Sequence, residues 1–225
     1  MVMATTLCKG DPEVVIIVEG GDGSGRLLSR STLCCSSAFR NCRLNQTGIH
    51  FDVFYPLSND TEYISSVLEK TIRTWNAVVP NAFDTHHSPM LTRSDQIISY
   101  NHRNQIGFGP ITMNPDALAV TALWLVCKNE TQSLESCTQE IVIVECDQIY
   151  GSYGSNLAYL MLHEFGHVFG LGDLLQNACS SSLMFYSITD NVPAIDRDTK
   201  SCLRRHGYNL TSTSSVGHSV FWRLV

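Results

Sequence analysis

His163-Glu164-Phe165-Gly166-His167-Val168-Phe169-Gly170-Leu171-Gly172-Asp173 decides how the chain is read. On a helix, His163 and His167 stand one turn apart on one face and can hold a single metal ion. Glu164 follows the first ligand, where its carboxylate can reach a water at the metal and act as general base. Gly170 can take the left-handed conformation that ends a helix and reverses the chain. The reversal lets Asp173 supply a third ligand, leaving one position of a tetrahedral site open. Such a site suits hydrolysis, with Zn2+ as the cofactor.

The flanking residues agree with this reading. Asn156 to Phe169 contains no proline, and Gly166 is its only glycine, while Ser155 and Asn156 are candidate N-caps. Leu157, Leu160, Met161, Leu162, Phe165, Val168 and Phe169 fall on all sides, as in a helix through the middle of a domain. Histidines on such a helix must be hydrogen-bonded or metal-bound, because an unsatisfied buried polar group is costly. The plainer alternative is a core helix with two satisfied histidines.

The pattern HExxHxxGxxD resembles the metzincin zinc proteases, in which a glycine turn precedes the third ligand. Metzincins place a methionine turn beneath the metal, and Ser182-Leu183-Met184-Phe185-Tyr186 lies at a suitable distance, with Met184 as the structural floor. Leu118 to Thr121 and Glu140 to Asp147 look like the last two strands of a matrixin sheet, and Leu68 to Val78 like its first long helix. Ile195 to Asp198, Leu203 and His206-Gly207-Tyr208 resemble the matrixin closing helix. The resemblance implies an α/β (α+β) fold: a twisted mixed sheet with an antiparallel edge strand, a long zinc helix, a methionine turn and a C-terminal helix. It implies a zinc endopeptidase with His163, His167 and Asp173 as ligands and Glu164 as base, acting on a peptide or protein. Asp173 stands where most of these enzymes have histidine, as in snapalysin-like bacterial proteases. Tyr186 occupies the spacing of a tyrosine that ligates the metal or stabilises the oxyanion in astacin-like and serralysin-like members. By the same resemblance Ile141, Val142 and Ile143 belong to an edge strand that pairs with extended substrate.

Composition narrows the rest. The chain has 225 residues, enough for one domain or one domain with an extension, and its 44% hydrophobic content suffices for a core. A net charge of −6 argues against nucleic acid as a partner. No apolar run approaches the ~18 residues a membrane span needs. Nine cysteines point to an oxidising compartment, hence to a secreted or surface-exposed protein. None forms a CxxC pair. Cys179 and Cys202 flank the methionine turn and could tie it to the last helix, Cys127 and Cys137 could close the loop between two strands, and other pairings remain open. Sequons at Asn45, Asn59, Asn129 and Asn209 are compatible with a glycoprotein. Met1-Val2-Met3 does not open a signal peptide, which is consistent with a removed leader or a larger precursor.

Three regions follow: an extension over 1–43 with a short strand, a glycine-rich loop and four cysteines; a zinc domain over 44–208; and a Ser/Thr-rich tail over 209–225, in which Thr211 to Ser215 reads as a flexible linker. Ile49 to Tyr55 alternates as a strand, a helix starts near Asn59 or Thr61, and 80–117 reads as loops around one strand.

Two features invite other readings. Val14 to Val18 followed by Gly20-Gly21-Asp22-Gly23-Ser24-Gly25-Arg26-Leu27 looks like a strand and phosphate loop. Arg26 and Leu27 replace the lysine and hydroxyl that such a loop needs, and repeated βαβ units are missing. His86, His87 and His102 could hold the second, structural zinc that matrixins often carry, against the plainer reading of exposed loop histidines. The competing class overall is a catalytically silent module of a secreted or surface glycoprotein. Glu164 argues against it, since a purely structural site needs no base.

Overall fold

A computed structural model describes residues 13–18, 34–36, 47–54, 61–86, 88–90, 103–108, 118–127, 137–145, 156–187 and 194–211. The fold is mixed α/β. One six-stranded sheet contains β1 (Glu13–Val18), β2 (Asp52–Phe54), β3 (Ser88–Met90), β4 (Gln105–Phe108), β5 (Ala119–Cys127) and β6 (Cys137–Glu145), in the order β1-β5-β6-β4-β2-β3. The β3–β2, β2–β4 and β4–β6 pairs are parallel, whereas β5 runs antiparallel to both β6 and β1. Three helices accompany the sheet among the described residues: α1 (Thr61–Asn76), α2 (Asn156–Val168) and α3 (Arg197–Arg205).

The alternation expected from Ile49 onward is present as burial: Ile49, Phe51 and Val53 are covered while His50 is exposed. Among the described residues of this segment Asp52–Phe54 forms ladder, and Ile49 makes an isolated parallel bridge to Phe83. The segment expected to hold one strand within 80–117 holds two, β3 and β4. Pro89 obscures the first of these, since proline cannot donate to a ladder. It is tolerated because, among the described residues, β3 closes the sheet at one end and pairs with β2 alone.

α2 lies against α1 and β5. Trp75 of α1 is fully buried and donates its indole N–H to the Leu162 carbonyl at 3.1 Å, with its ring 4.8 Å from that of Phe169. Phe51, Phe83, Phe165 and Phe169 continue this aromatic core, with Phe83–Phe165 and Phe83–Phe169 centroids at 4.8 and 5.4 Å. Such pairs add about 0.5–1.5 kcal/mol each beyond area burial. Because α2 is covered on every side from Leu157 onward, His163, Glu164 and His167 have no solvent to fall back on.

Two disulfides tie the upstream extension to the far end of the chain, Cys34–Cys179 and Cys35–Cys202. The suggested Cys179–Cys202 bond is thereby replaced: each of these cysteines takes one of two adjacent partners upstream. Ser36, next in sequence, accepts a hydrogen bond from the Gly172 amide at 3.0 Å. In the tail, Thr211 is fixed rather than free, its amide bonded to the Val78 carbonyl at 3.0 Å. Residues 212–215 of the expected linker lie outside the described residues, as do the glycine-rich loop, Cys8, His87 and His102.

The β5–β6 register sets Cys127 directly opposite Cys137. Opposed residues of an antiparallel pair have Cα atoms about 4.5–5.5 Å apart, within the range a disulfide requires. Non-reducing peptide mapping is expected to recover Cys127 and Cys137 as one cross-linked fragment; recovery of either with another partner would refute the pairing.

Candidate metal centre

The two histidines are brought together by the helix and fixed by their second nitrogens. His163 Nδ1 lies 2.8 Å from the Leu183 carbonyl and His167 Nδ1 lies 2.7 Å from the Leu171 carbonyl. A carbonyl oxygen only accepts, so both Nδ1 atoms carry the proton and donate it. In the neutral rings both Nε2 atoms therefore present lone pairs, and they face each other at 3.0 Å. Asp173 Oδ1 completes a triangle, 3.1 Å from His163 Nε2 and 3.4 Å from His167 Nε2. Ligand atoms on one tetrahedral zinc, bonded at 2.0–2.1 Å, stand about 3.3 Å apart. Two lone pairs and a carboxylate oxygen at such distances repel unless a cation or shared proton lies among them.

Asp173 arrives by way of the helix stop. Gly170 has φ 80°, and the Gly170 amide bonds the His167 carbonyl at 2.8 Å while the Leu171 amide bonds the Gly166 carbonyl at 3.3 Å. These are the paired bonds of a Schellman cap, which turns the chain sharply. The following residues are held on two sides: Gly172 by Ser36, and Leu174 by its amide bond to the Met184 carbonyl at 2.8 Å.

Glu164 is fully buried beside the triangle, and His163, Glu164 and His167 each offer an atom within 4.8 Å of the others, a group that could hold a metal ion. Its Oε2 accepts a short hydrogen bond from the Thr121 hydroxyl of β5. Its Oε1 is buried and has no hydrogen-bond partner among the described residues. Burial pushes the carboxyl above its ordinary range, against the opposing pull of His167 and His163. A buried carboxylate oxygen with nothing to accept from is costly in a purely structural core.

Below the helix, Met184 is buried with its sulfur against Gly166, where any side chain would collide with it. The turn around it is organised by residues that local patterns did not single out. Tyr159 donates its hydroxyl to the Leu183 and Phe185 carbonyls at 3.2 and 3.1 Å. Asp196 caps α3 by accepting from the Asp198 and Thr199 amides at 2.8 and 2.9 Å, and its other oxygen accepts from the Leu183 amide at 2.8 Å. One carboxylate thus links the closing helix to the turn whose carbonyl orients His163. Asp196→Ala is expected to cost about 2–3 kcal/mol, from the lost cap and charge-assisted bonds, and to speed metal loss. Asp196→Asn should fall between, keeping the cap but placing an amide donor where acceptors are needed. Chemical denaturation and chelator competition check both, and a wild-type alanine variant would refute the linkage.

Other expected site residues are placed differently. Tyr186 is partly buried, its ring 4.8 Å from Phe185 and its amide bonded to the Leu174 carbonyl at 3.2 Å; among the described residues no bond joins its hydroxyl to the histidines or Glu164. Ile141, Val142 and Ile143 do not lie on an edge. They belong to β6, between β5 and β4: Val142 is opposite Ala122 on one side and Gln105 on the other, Ile143 opposite Thr121 and Ile106, and Ile141 opposite Leu123. Val142 and Ile143 thus have a partner strand on both sides, so main-chain pairing with substrate does not fit there, while Ile141 is paired with Leu123 on the β5 side. β-branched residues made the strand legible but say nothing of its neighbours. His86 is exposed and shares Asp84 with His50, at 3.3 Å each. The Cys35, Cys202 and His206 sulfurs and nitrogen cluster too, but the two sulfurs are joined in a disulfide and are poor ligands.

The triangle has a pH signature. Burial alone would lower His167, but the Asp173 carboxylate outweighs it and raises the imidazole above its ordinary value. Burial alone would raise Asp173, but His167 and His163 hold it well below the carboxylate range. A raised histidine adds stability below its unfolded value of ~6.5, lost as pH rises through the folded value; a lowered aspartate adds stability above ~3.9, lost in acid. The metal-free chain is therefore expected to lose stability as pH rises from about 6.5 through the raised folded-state value of His167. Metal affinity should rise over the same range, because a proton must leave for the ligand to bind. Thermal melts with and without chelator check the sign, and a metal-free chain that gains stability toward pH 8 would contradict it.

No protein-family model and no curated protein sequence matches the chain.

Proposed function

We propose that this chain is a zinc-dependent endopeptidase of metzincin type, built to hydrolyse peptide bonds outside the cytosol. The observation that carries the reading is the convergence of His163 Nε2, His167 Nε2 and Asp173 Oδ1 within 3.0–3.4 Å of one another, beside a buried general-base candidate with one oxygen unpartnered among the described residues. Two neutral imidazoles and one carboxylate are a donor set that fits zinc, and three protein ligands leave a fourth position for the reaction. Bound zinc supplies Lewis acidity, making a water nucleophilic near neutral pH and polarising a carbonyl.

The chain's own residues do the rest. His163 and His167 are oriented by the Leu183 and Leu171 carbonyls, which also keep the proton off the ligating nitrogens. Thr121 anchors one oxygen of Glu164, leaving Oε1 to accept a proton from water and return it to the departing amine. The raised carboxyl affinity for protons suits that exchange. Met184 and the aromatic core beneath α2 exclude solvent from the ligand side. The disulfides, and no described helix long and apolar enough to cross a membrane, are compatible with an extracellular setting.

The test is metal content together with cleavage of unstructured protein such as casein. One zinc per chain with chelator-sensitive cleavage is the expected result. Stoichiometric metal without cleavage of any peptide would leave a binding or structural module instead.

A further inference from the structure

A second group of ligand atoms lies apart from the histidine pair, at the C-terminal end of α3. His206 caps that helix, and its amide continues the helical bonding to the Cys202 carbonyl at 3.0 Å. Cys202 and His206 therefore stand one turn apart on one face, as two ligands of one ion do. His206 Nε2 lies 3.9 Å from Cys202 Sγ, and the ring also bonds the Phe169 backbone. Cys35 brings the third atom: its sulfur, that of Cys202 and a nitrogen of His206 all lie within 4.8 Å of one another. Cys202 is buried, while Cys35 and His206 are partly covered.

In the oxidised chain the two sulfurs share a bond, and a metal is held by thiolate rather than by disulfide. Reduction changes their chemistry and barely changes their places. Two sulfurs on one tetrahedral zinc stand about 3.8 Å apart, and a sulfur and a nitrogen about 3.6 Å. Opening the bond thus asks the sulfurs to part by less than about 2 Å. Wider separation is opposed by Cys34, which adjoins Cys35 and is tied to Cys179.

We propose that Cys35, Cys202 and His206 form a second metal site, closed as a disulfide in the oxidised chain and open to zinc once a dithiol has reduced it. The dithiol gives two electrons and two protons to the Cys35 and Cys202 sulfurs and closes to its own disulfide. Zn2+ then binds both sulfurs as thiolates and releases the two protons to solvent, with the imidazole as third ligand. Either form clasps the same two segments of chain. The clasp reaches the histidine centre through Ser36, which follows Cys35 and accepts from the amide of Gly172, the residue before Asp173. None of this depends on peptide hydrolysis.

The experiment uses the full chain, reduced with a dithiol, freed of the reagent without air and titrated with Co2+. Differential alkylation reports whether positions 35 and 202 have opened. Cobalt on thiolate gives a near-ultraviolet charge-transfer band, which two histidines and an aspartate cannot give. The reduced chain should gain such a band over the oxidised chain, saturating with one further ion. His206→Ala and Cys35→Ser should each weaken that ion at least about tenfold, the second without touching the cap of α3. A reduced chain that gains no band with 35 and 202 open overturns the site, and so does a band that both variants leave unchanged. A Cys35–Cys202 bond that no dithiol opens in the folded chain overturns the gate. Absent peptide cleavage with the band intact would refute the peptidase reading alone.

Discussion

Glu164→Gln is expected to lower peptide turnover by about 10³-fold, within the 10²–10⁴ range for loss of a general acid–base group, with metal stoichiometry unchanged. The amide keeps an oxygen to accept from Thr121 and matches the carboxylate in size, so packing at this fully buried position is preserved. It removes a buried acid that burial already penalises and whose Oε1 has no partner among the described residues. The variant should therefore be at least as stable as the parent, a combination expected of a residue kept for chemistry at some cost to folding. Turnover at the parental level would exclude Glu164 as base. Loss of metal would make it a ligand instead.

Asp173→Ala is expected to release metal to a chelator at least ~10²-fold faster, the upper end of what losing even an outer-shell partner costs. Two imidazoles held by the Leu183 and Leu171 carbonyls would remain, without the charge that opposes their repulsion. Asp173→Asn, which keeps an oxygen but not the charge, should be intermediate. Asp173→His should not restore parental affinity, although histidine is the commoner ligand type. A longer side chain needs the backbone to retreat, and the backbone is held by Gly172 on Ser36 and by Leu174 on Met184. An alanine variant that keeps metal as firmly as the parent would remove Asp173 from the ligand set.

Much of this centre could be read from one strand of letters because its geometry is local. The spacing of His163 and His167, the glycine at 170 and the short reach to Asp173 are all set within three turns of chain, where helical period and capping rules apply. Met184, singled out by its distance from that helix, packs its sulfur against Gly166. Thr121 and Asp196 were not legible, since an ordinary threonine in a strand and an aspartate before a helix carry no mark of the distant groups they bond. The order of strands was equally hidden. Val-Ile-rich segments announce β6 and β1 alike, yet one is central and the other terminal, and only the long-range pairing with β5 separates them. Pro89 shows the converse, a residue that argues against a strand and yet is admitted at the end of the sheet.

The adjacent cysteines 34 and 35 have a consequence for how the molecule is made. Their partners lie 145 and 167 positions downstream, beyond the metal-binding helix and the turn that supports it. A ribosome emits residues in order, so the thiols of Cys34 and Cys35 wait until positions 179 and 202 have emerged, at roughly 5–20 residues per second. During that interval the Ser36 carbonyl that steadies Gly172 has no bond to hold it in place. Ion loading and oxidation are then coupled steps of maturation: whichever comes first draws the ends of the same loop together and favours the other. On the proposed reading, supplying the ion without oxidation, or oxidation without the ion, is expected to leave chains unfinished in form.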